Sequence, residues 1–279
     1  PGRRFQTHRA PTIRPAGRGV CRPVGPPGAV VFPAAPPAGP ALAPARAVTV
    51  DGTRRLREAS RTAGVPRFVH LSTTAVYAPP DPDVRVVDES APLVDADAGS
   101  GGPYARTKAD AERLLLADGT TSQLVVLRPP AVLGAGPTST WGRRVPTAIR
   151  DGRGFPQPRA ATFAFVHVED LVDAIIAAAG LEGGAEQAGT PRHGDSTPVV
   201  ANIVGGHVTV GDYLDAVVDL LPTPVPERPG TDAAGWTGRY ATDRLPRHLG
   251  VAPHRSFRSG MAEIAADWSE ATSDQEVRG

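Results

Sequence analysis

The feature that most limits what this chain can fold into is an alternation that begins near residue 47, in which short apolar runs are separated by longer stretches with helical spacing. "RFVHLS" (67–72), "LVVLR" (124–128) and "FAFVHV" (163–168) are too short for helices and too evenly apolar to keep a wet face. Between them, "VDGTRRLREASRTAG" (50–64) places Val50, Leu56, Ala59 and Ala63 on one side, with Gly64 just past the helix end. A second helix starts near Tyr104 and runs through "ARTKADAERLLLA". A third, "EDLVDAIIAAAG", opens with carboxylates that suit a helix N-terminus. "VANIVGG" predicts a further short strand, followed by helices over 210–221, 242–249 and 256–268 with Thr209, Thr242 and Ser256 as N-caps. Strands alternating with helices at this spacing predict an α/β fold built on a doubly wound parallel sheet. We expect a catalytic domain over 29–180 and a small C-terminal substrate lobe over 181–279.

The first 46 residues contain 11 prolines and show neither period. Three explanations of residues 1–28 stay open: a disordered basic arm, an organelle-targeting peptide, or translation from a wrong or damaged frame. The Pro at position 1 favours the last, a fragment or faulty gene model. Residues 1–50 hold seven arginines and no Asp or Glu, which leaves 23 basic against 29 acidic residues in the remainder. That body carries no nucleic-acid footprint. Cys21 is the sole cysteine, so no intrachain disulfide can form, and a reducing, cytoplasmic setting is expected. The longest mostly apolar stretch, "LVDAIIAAAGL" (171–181), is too short to span a bilayer. The histidines show no metal-ligand spacing, and no metal site is expected.

Of the 30 basic side chains, 29 are arginine and one is lysine, Lys108, in "PYARTK". Tyr104 stands four residues earlier, on the same face of a helix. A compact ammonium beside a phenol, with donors left over for a ligand, is a role the planar guanidinium fork does not fill. An exposed helix lysine is the plain alternative.

"VPRFVHLSTTAVY", "DESAP", "YARTK", "LRPPAVLGAG" and "FVHVEDLVDAI" follow one another in an order and spacing that resembles the extended short-chain dehydrogenase/reductase family, the NAD-dependent epimerase/dehydratase group. The likeness covers about residues 47–268, including "RYATDRLPRHLGVAPHRSFRSGMAEIAADW" near the end. It implies a Rossmann-like domain, NAD or NADP as cofactor, a small-molecule substrate and, commonly, a homodimer. Tyr104 is the implied acid/base and Thr73 the residue that hydrogen-bonds the reacting oxygen. Lys108 is the implied partner of the phenol, lowering its proton affinity and donating to the nicotinamide ribose. Ser72, Pro129 and Pro130 fall on the cofactor side. Thr74 and Ala75 stand where sugar-nucleotide dehydratases carry an Asp-Glu pair, which argues against dehydration. Ala131 stands where many epimerases carry Asn, as in hydroxysteroid-dehydrogenase and flavonol-reductase relatives. His167 and Asp170 read as a strand-end histidine and a capping carboxylate, and Trp141, Trp236 and Trp268 as packing residues.

The glycine-rich phosphate loop of such folds is missing between any strand and helix of this sequence. "AVVFPAA" (29–35) matches the family's fourth strand, with Ala34 and Ala35 in cofactor-lining places and Thr49 where Asn is usual. The leading strands are then expected to be absent or scrambled. Two functions follow: an oxidoreductase or epimerase using a secondary hydroxyl or ketone, or a truncated, catalytically inactive remnant serving as a ligand- or protein-binding module.

Overall fold

The structure is a computed structural model that describes residues 29–32, 42–95, 101–119, 123–153, 155, 157–180, 197–221, 231 and 234–276. Residues 1–28, with Cys21, and the cofactor candidates Ala34 and Ala35 lie outside the described residues. In chain order come β1 (Ala29–Phe32) and α1 (Leu42–Arg46), then a π-helical turn (Ala47–Asp51) leading into α2 (Gly52–Thr62). They are followed by β2 (Arg67–Leu71), β3 (Val86–Val87), α3 (Pro103–Leu116), β4 (Gln123–Arg128), β5 (Ala131–Leu133) and α4 (Val145–Arg150). The remainder is β6 (Thr162–His167), α5 (Val168–Ala179), β7 (Val199–Asn202), β8 (Gly206–Thr209), α6 (Val210–Leu220), β9 (Arg239–Tyr240), α7 (Arg244–Leu249) and α8 (Phe257–Glu276).

The main sheet is parallel, in the order β1-β2-β4-β7. Successive side chains of a strand point to opposite faces, and both faces are covered. Phe68, Leu124 and Val126 pack with Leu115 of α3 and Leu56 of α2. On the other face Val69, Val125 and Leu127 meet Leu171, Ala174 and Ala178 of α5, and Leu245 and Leu249 of α7. Each fully buried side chain of this size contributes about 1.5–3 kcal/mol, so the evenly apolar strands are accounted for by a doubly wound sheet.

The predicted stripe of α2 holds at Val50 and Leu56 but not at Ala59 and Ala63, and polar residues complete the buried face. Ala59 and Ala63 are exposed, while Val50, Thr53, Arg57 and Ser60 face inward. Polar residues can occupy that face because their groups are satisfied locally. The Thr53 and Ser60 hydroxyls donate to the Thr49 and Leu56 carbonyls, and Arg57 reaches Asp118 at 2.9 Å with its guanidinium over the Phe68 ring.

Pro129 and Pro130 follow β4 directly. Lacking amide donors, they cannot continue its ladder. The chain turns there into a second sheet, in which β5 pairs parallel with β6 and β8 pairs antiparallel with β6. Its core joins Leu133, Phe163 and Phe165 to Tyr213 and Leu214 of α6 and to Met261, Ile264 and Trp268 of α8. The rings of Phe163 and Tyr213 stack at 4.4 Å, with Trp141 edge-on to both.

α6 begins at the predicted cap, where Thr209 and Asp212 form a reciprocal capping box. Ser256 likewise accepts the Ser259 amide at the start of α8, which runs past 268 to Glu276. Thr242 caps nothing, because α7 begins later, after Asp243. Among the described residues no helix is long and apolar enough to cross a membrane, and no group of three or more His, Cys, Asp or Glu could hold a metal.

Candidate active site

A cleft of about 870 Å³ opens beyond the carboxyl ends of β2 and β4, between the two sheets. Ser72, Thr73, Tyr104, Lys108, Pro129 and Pro130 all line it. Backbone bonds fix its floor: the Ser72 amide donates to the Leu127 carbonyl at 2.7 Å and the Thr74 amide to the Pro129 carbonyl at 2.9 Å. The loop after β2 is thereby locked to the Pro-Pro break after β4. Thr73 then caps a short 3₁₀ turn (Thr74–Val76), its hydroxyl accepting from the Ala75 amide at 3.2 Å. The hydroxyl thus satisfies local backbone, and it lies near enough to Tyr104 to draw the phenol's pKa down.

α3 starts with Pro103 at its first position, behind Gly102. This puts Tyr104 in the opening turn and Lys108 one turn deeper. Tyr104 is 43% exposed, whereas Lys108 is 2% exposed and donates to the Leu71 carbonyl at 2.6 Å. An ammonium has three donors, and the others have no hydrogen-bonded protein partner among the described residues. Lys108 is therefore a buried, aimed lysine rather than an exposed helix residue. Burial lowers its pKa from 10.5 to about 8, against an opposing pull from Glu112. The Tyr104 phenol is raised by burial and pulled back by the Thr73 hydroxyl. The lowering expected from Lys108 is not among these effects, since the ammonium is turned to the end of β2 instead. His70, also in β2, is fully buried with neither ring nitrogen partnered among the described residues; burial, reinforced by Lys108, lowers its pKa to about 3, so it stays neutral.

Beneath the cleft lies a polar network that the sequence reading did not single out. Arg128, the last residue of β4, grips the Glu112 carboxylate through Nε at 3.1 Å to both oxygens and Nη2 at 2.5 Å. Its Nη1 donates to the Tyr77 hydroxyl at 2.9 Å and the Glu89 carbonyl at 3.2 Å. Tyr77 donates to Asn202 of β7 at 2.7 Å, and the Glu89 carboxylate accepts the Asn202 amide at 2.9 Å. Tyr77 also stacks on Tyr240 of β9, which lines the cleft together with Thr74. The "DESAP" and "LR" motifs are thus the parts of a buried strut between the main sheet and the C-terminal residues. Glu112, four residues after Lys108 on the same helical stripe, was the available signal.

His167 and Asp170 have structural partners. The His167 Nδ1 accepts the Glu169 amide at the start of α5, and its Nε2 lies 3.0 Å from Glu263. Asp170 does not cap α5. Its buried carboxylate instead holds Arg255 at 2.6 Å and the amides of His254 and Arg255 ahead of α8.

Comparison with known proteins bears on the family and the fold. The family model described as the NAD dependent epimerase/dehydratase family matches residues 18–187. The chain belongs to that family. A 3-diazoavenalumate denitrifying reductase from Streptomyces sp is 31% identical over 234 residues, covering 79% of this chain and 72% of that protein. A UDP-glucose 4-epimerase from Streptomyces lividans is 27% identical over 243 residues, covering 78% and 67%. Among solved structures, MoeE5 in complex with UDP-glucose and NAD superposes with a TM-score of 0.67 at 24% identity, over 88% of this chain and 79% of that one. UDP-glucuronic acid 4-epimerase from Bacillus cereus in complex with NAD gives 0.65 at 18% identity, over 87% and 74%. These two likenesses establish the fold. Family membership does not favour the inactive-remnant alternative.

Proposed function

We propose that this family member is an NAD(P)-dependent oxidoreductase or epimerase acting on a secondary hydroxyl or ketone, with Tyr104 as acid/base. When bound, the nicotinamide supplies the hydride donor or acceptor. The cleft residues fit such a group: the Ser72 hydroxyl is buried without a hydrogen-bond partner among the described residues, Lys108 keeps donors in hand, and Pro129 and Pro130 form an apolar wall. Ser72, Lys108, Pro129 and Pro130 would hold it.

The observation that carries the reading is that Thr73 and Tyr104 line one cleft together, with Lys108 one helical turn deeper on the same helix as Tyr104. A substrate oxygen seated there meets both hydroxyls. Thr73 orients the oxygen, and the Tyr104 phenol gives or takes its proton. Because burial raises the phenol, it is protonated at neutral pH. The resting site is set to donate a proton, as reduction of a ketone requires in a reductase and in the returning half of an epimerase cycle alike. Two copies are proposed to pair as a homodimer, which sedimentation velocity would read.

The test uses a panel of aryl and cyclic ketones with NADH and NADPH, together with C4 inversion of UDP-glucose. Tyr104→Phe should lower kcat about 10²- to 10⁴-fold, the range of a lost general acid, while nucleotide fluorescence enhancement stays within about twofold. Full turnover by Tyr104→Phe would overturn the assignment.

A further inference from the structure

The far end of the cleft has a charge pattern that the proposed hydride chemistry does not use. Two cations line the cavity, Lys108 at the catalytic end and Arg144 in the turn that precedes α4, and no Asp or Glu lines it among the described residues. Arg144 differs from its neighbours in this respect. Arg143 is held by Asp267 at 2.6 Å and lies over the Trp268 ring, Arg150 and Arg153 pair with Asp151, and Arg159 pairs with Asp215. Arg144 is exposed; its backbone amide donates to the Ser139 carbonyl at 3.0 Å, but its guanidinium has no hydrogen bond or ion pair among the described residues.

Its backbone is nevertheless fixed. The Thr140–Arg144 turn is capped by Ser139, whose hydroxyl accepts the Gly142 amide at 2.9 Å. The Trp141 carbonyl accepts the Tyr213 hydroxyl at 2.7 Å, and the Gly142 carbonyl accepts the Trp268 indole at 2.8 Å. A permanently charged fork on a fixed turn, at the rim of a carboxylate-free cavity, is suited to paired hydrogen bonding of an oxyanion. Its cavity neighbours Trp141, Thr162 and Phe163 belong to the second sheet and its packing, opposite the Ser72 and Pro129 wall.

We propose that Arg144 anchors an anionic group of the substrate, so that the cleft takes an organic acid, carboxylate or phosphate, whose ketone or carbinol reaches Thr73 and Tyr104. This rests on the hydride-transfer reading for the position of the reacting carbon, but the anchoring can be measured without turnover. Trp141 in the cavity wall reports occupancy, and nitroaromatic probes quench it on contact. Titrations of 4-nitrobenzoate, 4-nitrophenyl phosphate and the uncharged methyl 4-nitrobenzoate compare the two acids with a neutral analogue. At least one acid should bind about tenfold more tightly than the ester, as a charge-assisted pair at a partly exposed site allows, and the tighter of the two identifies the anion. Arg144→Gln should reduce that acid to the ester's affinity, and Arg144→Lys should keep part of the difference. Equal quenching by acids and ester, or no quenching by either acid, overturns the proposal. So does a preference that survives Arg144→Gln but vanishes in Lys108→Met, or displacement of the acid by saturating NAD, which would give the cation to the cofactor. Selective acid binding with no NAD(P)H-dependent turnover of any ketone or UDP-glucose would sink the hydride-transfer reading and leave the anchor standing.

Discussion

Replacing Glu112 by leucine leaves the Arg128 guanidinium buried without its counter-charge. Glu112 is fully buried and Arg128 is 2% exposed, and the carboxylate accepts three of the five contacts that Arg128 makes. The Tyr77 hydroxyl and Glu89 carbonyl remain, but neither carries a neutralising charge. Removing one partner of a buried pair costs about 3–5 kcal/mol, which for a chain of this size is a fall in Tm on the order of 10 °C. Replacing both, as Glu112→Leu with Arg128→Met, removes the orphaned charge. The remaining loss should be about 1–2 kcal/mol, because Tyr77 and the Glu89 carbonyl then lose a donor. Urea denaturation of the wild type, both single variants and the double variant gives the coupling energy directly. If Glu112→Leu stays within about 1 kcal/mol of wild type, the strut is solvated or replaceable, and its role in tying the main sheet to β7 and β9 is wrong. If the double variant is no better than the single ones, the loss comes from packing rather than from charge.

Because Lys108 is the sole lysine, ¹⁵N-lysine labelling gives one side-chain amine signal. Its titration should centre near pH 8 rather than 10.5, and Glu112→Gln should move it lower still. A midpoint above pH 10 would mean that the ammonium is solvated. The sign for stability follows from linkage. Between about pH 8 and 10.5 the unfolded chain binds more protons at this group than the folded one, so the Lys108 contribution to stability rises across that window and is least favourable below it. Asp170→Ala should lower Tm by taking the acceptor from two backbone amides ahead of α8 and one of the three carboxylates that hold Arg255; a melting curve unchanged from wild type would show that α8 is held by its apolar face alone.

How much of the site was legible depended on which groups are neighbours along the chain. Tyr104 and Lys108 lie one turn apart, so helical periodicity alone put them on a shared face, and the continuous apolar runs at β2 and β4 announced a sheet buried on both sides, whereas the equally apolar β6 went to the second sheet. The α2 face was misread in part because its Thr and Ser hydroxyls are satisfied within the helix and Arg57 covers Phe68, neither of which hydropathy reveals. β5 and β8 are short strands without a period of their own, and they exist because β6 lies between them.

The amino-acid order by itself determined the α/β class and the helix that carries Tyr104 and Lys108, since each follows from patterns a few residues apart. Tertiary structure alone decided which way the Lys108 ammonium turns, that Glu112, Arg128, Tyr77 and Asn202 form one strut, and that Arg144 faces a cavity without carboxylates. Those facts depend on groups brought together across tens to more than a hundred residues, and on how far each is withdrawn from water. Pairing and desolvation of that kind become defined only when the two sheets close on one another.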